Sequence, residues 1–253
     1  MTGMQAGPGS VRADEVARFD KLAAEWWDPA GPMRPLHAMN PLRVGWVDRR
    51  IAPASSILDI GCGAGLASEA LAALGHSVLG LDAAPDPIAA AEAHAEGQGL
   101  PLRYRAGAAE DLVAEGLRFP VITALEVIEH VTDPASFLRL MAALLEPGGR
   151  LFVSTLNRTA RSLLVAKLGA EYVLRMLPVG THEWQRFVTP SELSGHARAA
   201  GLRLVATAGM TFDLRTRDWQ ESRDLAVNYI AMIEAAKTPS FRNSTGTWTH
   251  AVL

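Results

Sequence analysis

Three ionisable side chains, Glu126, Glu129 and His130, fall within five residues and follow directly on an apolar run that ends at Leu125. Two hard carboxylates and an imidazole can take a proton, or hold a divalent ion such as Mg²⁺, Mn²⁺ or Zn²⁺. If residues 126–130 are helical, the i, i+3, i+4 spacing puts all three on one face, as a metal cluster requires. A second signature lies upstream. Ile57-Leu58-Asp59-Ile60 runs into Gly61-Cys62-Gly63-Ala64-Gly65, and an alanine-rich helical pattern follows at once. That reads as a buried strand, a tight turn and a helix N-terminus, with glycines that let the backbone take positive φ and approach a ligand. Twenty-one residues after Gly61, the run 77–81 ends in Asp82. A carboxylate at that strand tip can accept hydrogen bonds from both hydroxyls of a ribose. Glycine turn and acid together describe a nucleoside-binding crevice.

A dinucleotide fingerprint needs G-x-G-x-x-G, but Leu66 stands where its last glycine would be. No Lys-Ser/Thr pair follows to build a phosphate-binding P-loop. Asp59 is expected to order the turn rather than touch a ligand.

These residues must be held by an alternation of strands and helices. Strands are expected at 57–60, 77–81, 102–106, 120–125 and 151–155, with helices at 66–74, 86–97 and 133–145 between them. Strand three leads to Ala109 and Glu110, from which a polar group could reach an adenine edge. Asp59, Asp82 and Glu126 all fall at the carboxyl ends of strands, where doubly wound parallel sheets bind ligands. Before the first strand, residues 14–27 show helical spacing and end in Trp26-Trp27; one indole is expected in the core and the other over the cleft. A second helix is expected to begin at Pro41, capped by Asn40 and carrying Arg43. Residues 157–190 interrupt the alternation with apolar stretches and interleaved basic residues. They read either as a helical lid or as a patch touching a membrane. A strand at 203–208, a helix at 225–236 and a loose tail at 237–253 complete the expectation.

At 253 residues the chain suits one domain, placed at 14–236 after a disordered Gly/Pro-rich start at 1–13. A net charge of -3 offers no footprint for nucleic acid. The single cysteine, Cys62, rules out an internal disulfide and reads as a packing residue. No apolar run reaches membrane-spanning length and 1–18 lacks the core of a signal peptide, so a cytoplasmic protein is expected.

The Asp-x-Gly-Cys-Gly-x-Gly form resembles motif I of the class I S-adenosylmethionine-dependent methyltransferases, and the Pro147-Gly148-Gly149 turn before strand five is another of their marks. The resemblance narrows further. Trp26-Trp27-Asp28, Asn40-Pro41-Leu42-Arg43, Glu126-x-x-Glu129-His130, Ser154-Thr155-Leu156-Asn157-Arg158, Gly169-Ala170-Glu171-Tyr172, Gly180-Thr181-His182 and Val227-Asn228-Tyr229 are similar to the ubiquinone-biosynthesis O-methyltransferase family.

The resemblance implies a Rossmann-like, doubly wound, seven-stranded α/β sheet with N-terminal helices and a helical lid insertion at about 158–190. It implies S-adenosylmethionine as cofactor, contacted by Arg43, Gly61, Asp82 and Leu125, with Gly63, Ala109 and Glu110 beside them. It also implies Mg²⁺. The reaction would be methylation of a phenolic or catechol hydroxyl on polyprenylated ubiquinone precursors, 2-polyprenyl-6-hydroxyphenol and 3-demethylubiquinol. Implied partners are that lipid-soluble phenol, phospholipid at the inner face of a membrane, and other enzymes of ubiquinone biosynthesis.

A phenol ionises near pH 10, as tyrosine does, so a base, a metal or both must help. A metal held by Glu126, Glu129 and His130, and His130 as base in a metal-free site, both stay open. His37 and His182 are secondary candidates, and Tyr172 either lines the lid or packs. A lipid-binding subunit of a biosynthetic complex, or a methyltransferase for another phenol, is the competing reading. A nucleotide-dependent dehydrogenase is disfavoured by Leu66.

Overall fold

In a computed structural model of the chain, residues 22–164, 184–213, 215–235, 240–242 and 248–250 are described. The expected disordered start, most of the 14–27 helix, and the lid stretch 165–183 with Tyr172 and His182 lie outside the described residues.

The apolar runs pair as the alternation predicts. Strands β1 (Ser56–Ile60), β2 (Ser77–Asp82), β3 (Leu102–Ala106), β4 (Phe119–Leu125) and β5 (Leu145–Leu156) lie in the order β3-β2-β1-β4-β5, and neighbours among them are parallel. Ile57 and Leu58 of β1 are fully buried, as a central strand covered on both faces requires. Helices α1 (Arg34–Asp48), α2 (Leu66–Ala73), α3 (Pro85–Ala95), α4 (Ala109–Ala114), α5 (Pro134–Leu144) and α6 (Pro190–Ala199) join or flank the strands. One core collects α5, α6 and one sheet face around Phe137, Met141 and Leu193. The other packs Met39, Trp46 and Val47 of α1 with Leu71 of α2 on the opposite face.

The last third departs from the expectation. Residues assigned to a helix at 225–236 form strand β8 (Asn228–Ala235), inserted antiparallel between β5 and β6 (Leu202–Asp213). The run Tyr229-Ile230-Ala231-Met232-Ile233 is apolar on every position, so its period says nothing; burial of Tyr229, Ala231 and Ile233 in one core and Ile230 in the other decides for a strand. A further strand, β7 (Asp218–Ser222), closes the edge as a hairpin with β6, so the sheet has eight strands rather than seven and is mixed rather than wholly parallel. In the tail, β9 (Ser240–Arg242) and β10 (Trp248–His250) pair antiparallel as a separate ribbon.

Helix α1 also begins earlier than expected. Pro35 sits in its first turn and Pro41 in its interior, so Asn40 caps nothing. Pro41 has no N–H for the carbonyl one turn back. Among the described residues no helix is long and apolar enough to cross a membrane.

Candidate active site

The glycine turn leaves β1 with Gly61, Gly63 and Gly65 all at positive φ, 66°, 54° and 88°. Its start is pinned to the neighbouring strand by Gly61 N–H donating to Leu81 O at 2.8 Å. Beneath it, buried Asp59 accepts from Ser68 Oγ and Thr123 Oγ1, each at 2.6 Å, so it ties α2 and β4 to the turn, which is the ordering role expected of it. Burial pushes the Asp59 carboxyl up, against those two hydroxyls and Arg43. Cys62 is buried and its thiol is pushed up by desolvation, which fits a packing residue.

Asp82 ends β2 with Oδ2 accepting from Gly63 N–H and Oδ1 from Ala84 N–H, both at 2.8 Å. Two backbone donors therefore aim the carboxylate over the turn. Gly107 N–H donates to Asp82 O at 2.9 Å, which brings Ala109 and Glu110, at the start of α4, beside the same corner. Trp26 is buried in a small core with Met33, Ala64 and Ala91, as expected of one of the two indoles, and Trp27 is partly buried against it; both lie over the turn. The Trp26 ring packs directly on Gly63, leaving no room for a Cβ there. Trp27 donates from Nε1 to Ala64 O at 3.0 Å and stacks on His94, ring centroids 3.4 Å apart. His37 meets Trp26 O at 2.8 Å through Nε2, a structural contact.

Helix α1 carries Asn40 and Arg43, both buried. Asn40 Nδ2 donates to Leu66 O at 2.8 Å, so α1 is fastened to the first residue of α2. Arg43 is 3% exposed, yet its contacts are long. Its Nη2 lies 3.4 Å from Asn40 Oδ1 and 3.5 Å from Leu36 O, its Nη1 is 3.8 Å from Glu126 Oε1, and its Nε has no partner. Desolvation lowers the guanidinium's pKa, while Glu126, Asp59 and Glu129 oppose it.

Residues 126–130 are not helical. Glu126 takes φ 59°, in the left-handed region, and turns follow it up to His130. The premise that placed three ligands on one helix face fails. Glu126 N–H donates to Ser154 O at 3.0 Å, and Glu126 Oε1 accepts from Ser154 Oγ at 2.6 Å. Glu129 is buried and accepts from Thr155 Oγ1 at 2.8 Å. Its carboxyl is held well above the usual range by burial and by the adjacent Glu126. His130 is half-buried, and its N–H closes the turn on Val127 O at 2.9 Å. Among the described residues no three His, Cys, Asp or Glu side chains stand where they could hold a metal ion. As arranged, this trio does not fit the expected Mg²⁺.

Leu125 is buried at the end of β4, beside these groups. The sequence offers Asn40 only as a helix cap and gives no role to Ser154 or Thr155. A pair of hydroxyl residues closing a strand was their one visible signal, because adjacent strand positions face opposite ways and so can reach two different carboxylates. Above Glu129 opens a cleft of about 530 Å³, lined also by Ile128, Val131, Arg158, Phe187 and Val188.

A family model described as a methyltransferase domain matches residues 18–207. The chain is 48% identical over 241 residues to a ubiquinone biosynthesis O-methyltransferase of Methylobacterium nodulans, covering 90% of this chain and 96% of that one. It is 46% identical to the protein of the same name from Azorhizobium caulinodans, covering 94% and 97%. Among solved structures, magnesium protoporphyrin IX methyltransferase from Synechocystis PCC 6803, crystallised with S-adenosylhomocysteine, is similar in fold. Its TM-score is 0.57 at 20% identity, covering 91% of this chain and 90% of that one.

Proposed function

This chain belongs to the ubiquinone biosynthesis O-methyltransferases, and from that premise we propose how its residues divide the work. It is an S-adenosylmethionine-dependent O-methyltransferase of ubiquinone biosynthesis. When bound, S-adenosylmethionine supplies an electrophilic methyl group. The residues present fit that molecule. The turn glycines at positive φ present backbone at the end of β1, two backbone N–H groups aim the Asp82 carboxylate, and a buried guanidinium has an orphaned Nε. Asp82 accepts the ribose hydroxyls, Gly61 and Gly63 border the nucleoside with backbone, and Ala109 and Glu110 flank the adenine. Leu125 contributes an apolar wall. Arg43 binds the carboxylate of the methionine moiety, because an under-bonded buried cation is best satisfied by an anion.

The acceptor is a polyprenylated phenol whose ring enters between Glu126 and the cleft above Glu129. Its proton goes to His130, held by a turn beside the Glu126/Glu129 pair, and no step is assigned to a metal. Positioning nucleophile and methyl in line supplies most of the remaining catalysis. A polyprenyl tail is insoluble in water, so the enzyme works against the membrane surface, with the segment 158–190 as the contact. The observation that carries the cofactor reading is the Asp82 carboxylate held over the glycine turn by Gly63 N–H, together with the buried, under-bonded Arg43. It is tested by titrating wild type and Asp82→Ala with S-adenosylhomocysteine. Binding by wild type, weakened at least about a hundredfold in the variant, is expected from the loss of two charge-assisted hydrogen bonds. Equal affinities would refute the ribose assignment.

A further inference from the structure

The two indoles of the Trp26-Trp27 pair join the same two elements, the glycine turn and α3, and neither serves a role assigned above. The Trp26 ring is seated on Gly63, where a Cβ would stand 2.2 Å from its Cζ2. The same ring belongs to a small core with Ala64 of the turn, Ala91 of α3 and Met33, separate from the two cores on the sheet faces. Trp27 makes the same bridge by other contacts. Its Nε1 donates to Ala64 O at 3.0 Å, and its ring stacks within 5° of parallel on His94 of α3, centroids 3.4 Å apart. His94 Nδ1 stands 2.9 Å from each carboxylate oxygen of Glu69, which fastens α3 to α2 as well. His37 Nε2 meets Trp26 O at 2.8 Å and ties the pair to α1.

The turn and α3 are also the two sides that supply donors to Asp82. Gly63 N–H reaches Oδ2, and Ala84 N–H, one residue before α3, reaches Oδ1, both at 2.8 Å. A carboxylate held by one donor from each side keeps its direction only while the two sides keep their separation, because hydrogen bonds weaken steeply as their geometry opens. Gly63, at φ 54° and without a side chain, does little to stiffen its own peptide. A side chain close-packed against it leaves that peptide no room to turn. The one place where the chain puts such bulk is the Trp26 ring, and the ring is wedged between Gly63 and the helix that follows Ala84.

We propose that Trp26 and Trp27 are positioning residues for the cofactor. By spanning the glycine turn and α3 they fix the spacing of Gly63 N–H and Ala84 N–H, and so aim the Asp82 carboxylate at the ribose. The inference rests on the assignment of Asp82 to the ribose hydroxyls. Neither indole touches the ligand in this role; both act through the two backbone donors.

The test is a double-mutant cycle, read by calorimetric titration of the purified full chain with S-adenosylhomocysteine. Trp26→Ala is expected to weaken binding about tenfold, less than Asp82→Ala, because the carboxylate remains and only its aim is lost. Combined with Asp82→Ala, it should weaken binding by no more than about twofold further, since changes that act through one group do not add. Trp27→Phe keeps a ring to stack on His94 but loses the bond to Ala64 O, and should weaken binding roughly three- to fivefold. It carries the test by itself if Trp26→Ala does not fold. Met141→Ala lowers stability in the core of α5 and α6, away from the turn, and should leave the affinity within about twofold of wild type. Wild-type affinity in both tryptophan variants would overturn the inference. So would a Trp26→Ala loss that adds in full to that of Asp82→Ala, or an equal loss in Met141→Ala. No binding by wild type, or none lost in Asp82→Ala, would overturn the ribose assignment, and this inference with it.

Discussion

Replacing Arg43 by Met separates what this side chain does for the ligand from what it does for the fold. In the free protein every polar contact of the guanidinium is long, 3.4–3.8 Å, and Nε makes none. A well-formed charge-assisted bond is nearer ~2.8 Å, so these contacts contribute little. Desolvation opposes the charge. An unbranched apolar side chain of similar length relieves that cost, as replacement of buried ion pairs often does. Glu126 loses a counter-charge but keeps its bond from Ser154 Oγ and is partly exposed. The expected loss of stability is therefore about 1 kcal/mol or less, a fall in Tm of roughly 2–4 °C for a chain of this size. Ligand binding should suffer far more. Removing the partner of a desolvated carboxylate costs about 2–4 kcal/mol, or roughly 30- to 700-fold in Kd. Thermal melting without ligand and calorimetric titration with S-adenosylhomocysteine measure the two sides. A large fall in Tm with unchanged affinity would show that Arg43 is a structural ion and would withdraw the carboxylate assignment.

Two further outcomes follow from the geometry. Gly65→Ala puts a Cβ into the Tyr104 hydroxyl at φ 88°, so the left-handed cost and the clash together should remove about 2–4 kcal/mol of stability in urea titration, and Tyr104→Phe in the same background should recover part. A variant as stable as wild type would mean that the turn relaxes freely. Glu129, whose folded-state carboxyl lies well above 4.5, binds its proton more tightly in the native than in the unfolded chain. Its contribution is therefore fully present below about pH 4.5 and is lost as pH rises through the folded value. Glu129→Gln should flatten the decline of the urea midpoint as the pH rises above about 4.5; an unchanged slope would refute the raised carboxyl.

What could be read from the sequence was local. The glycine turn, Asp82 and strands β1 to β5 announce themselves through periodicity and punctuation within a few residues, and the structure places them close to where they are expected, except that β5 begins at Leu145 and takes in the Pro147-Gly148-Gly149 turn. The errors fall where distant partners decide. A helix from Glu126 is only the condition for a one-faced cluster, and it is not met: Glu126 is left-handed and its N–H bonds Ser154 O. Asn40 was read as a cap, yet its amide spans 26 residues to Leu66. The 225–236 run was read as a helix because alanines and aliphatics without alternation suit either form; only its place between two strands settles it.

The position of β8 sets the order in which the molecule can be completed on the ribosome. It is the last strand of the large sheet to be synthesised, yet it lies inside, with β5 on one side and β6 on the other. Until residue 235 has emerged, β5 and β6 each expose an open edge, and open edges of apolar strands invite pairing with other chains. The same late strand brings Asn228 to the sheet edge and Tyr229, whose hydroxyl fastens Val188 O at 2.9 Å, to the core. A nascent chain therefore holds the glycine turn and Asp82 before it holds the strand that closes the sheet between β5 and β6.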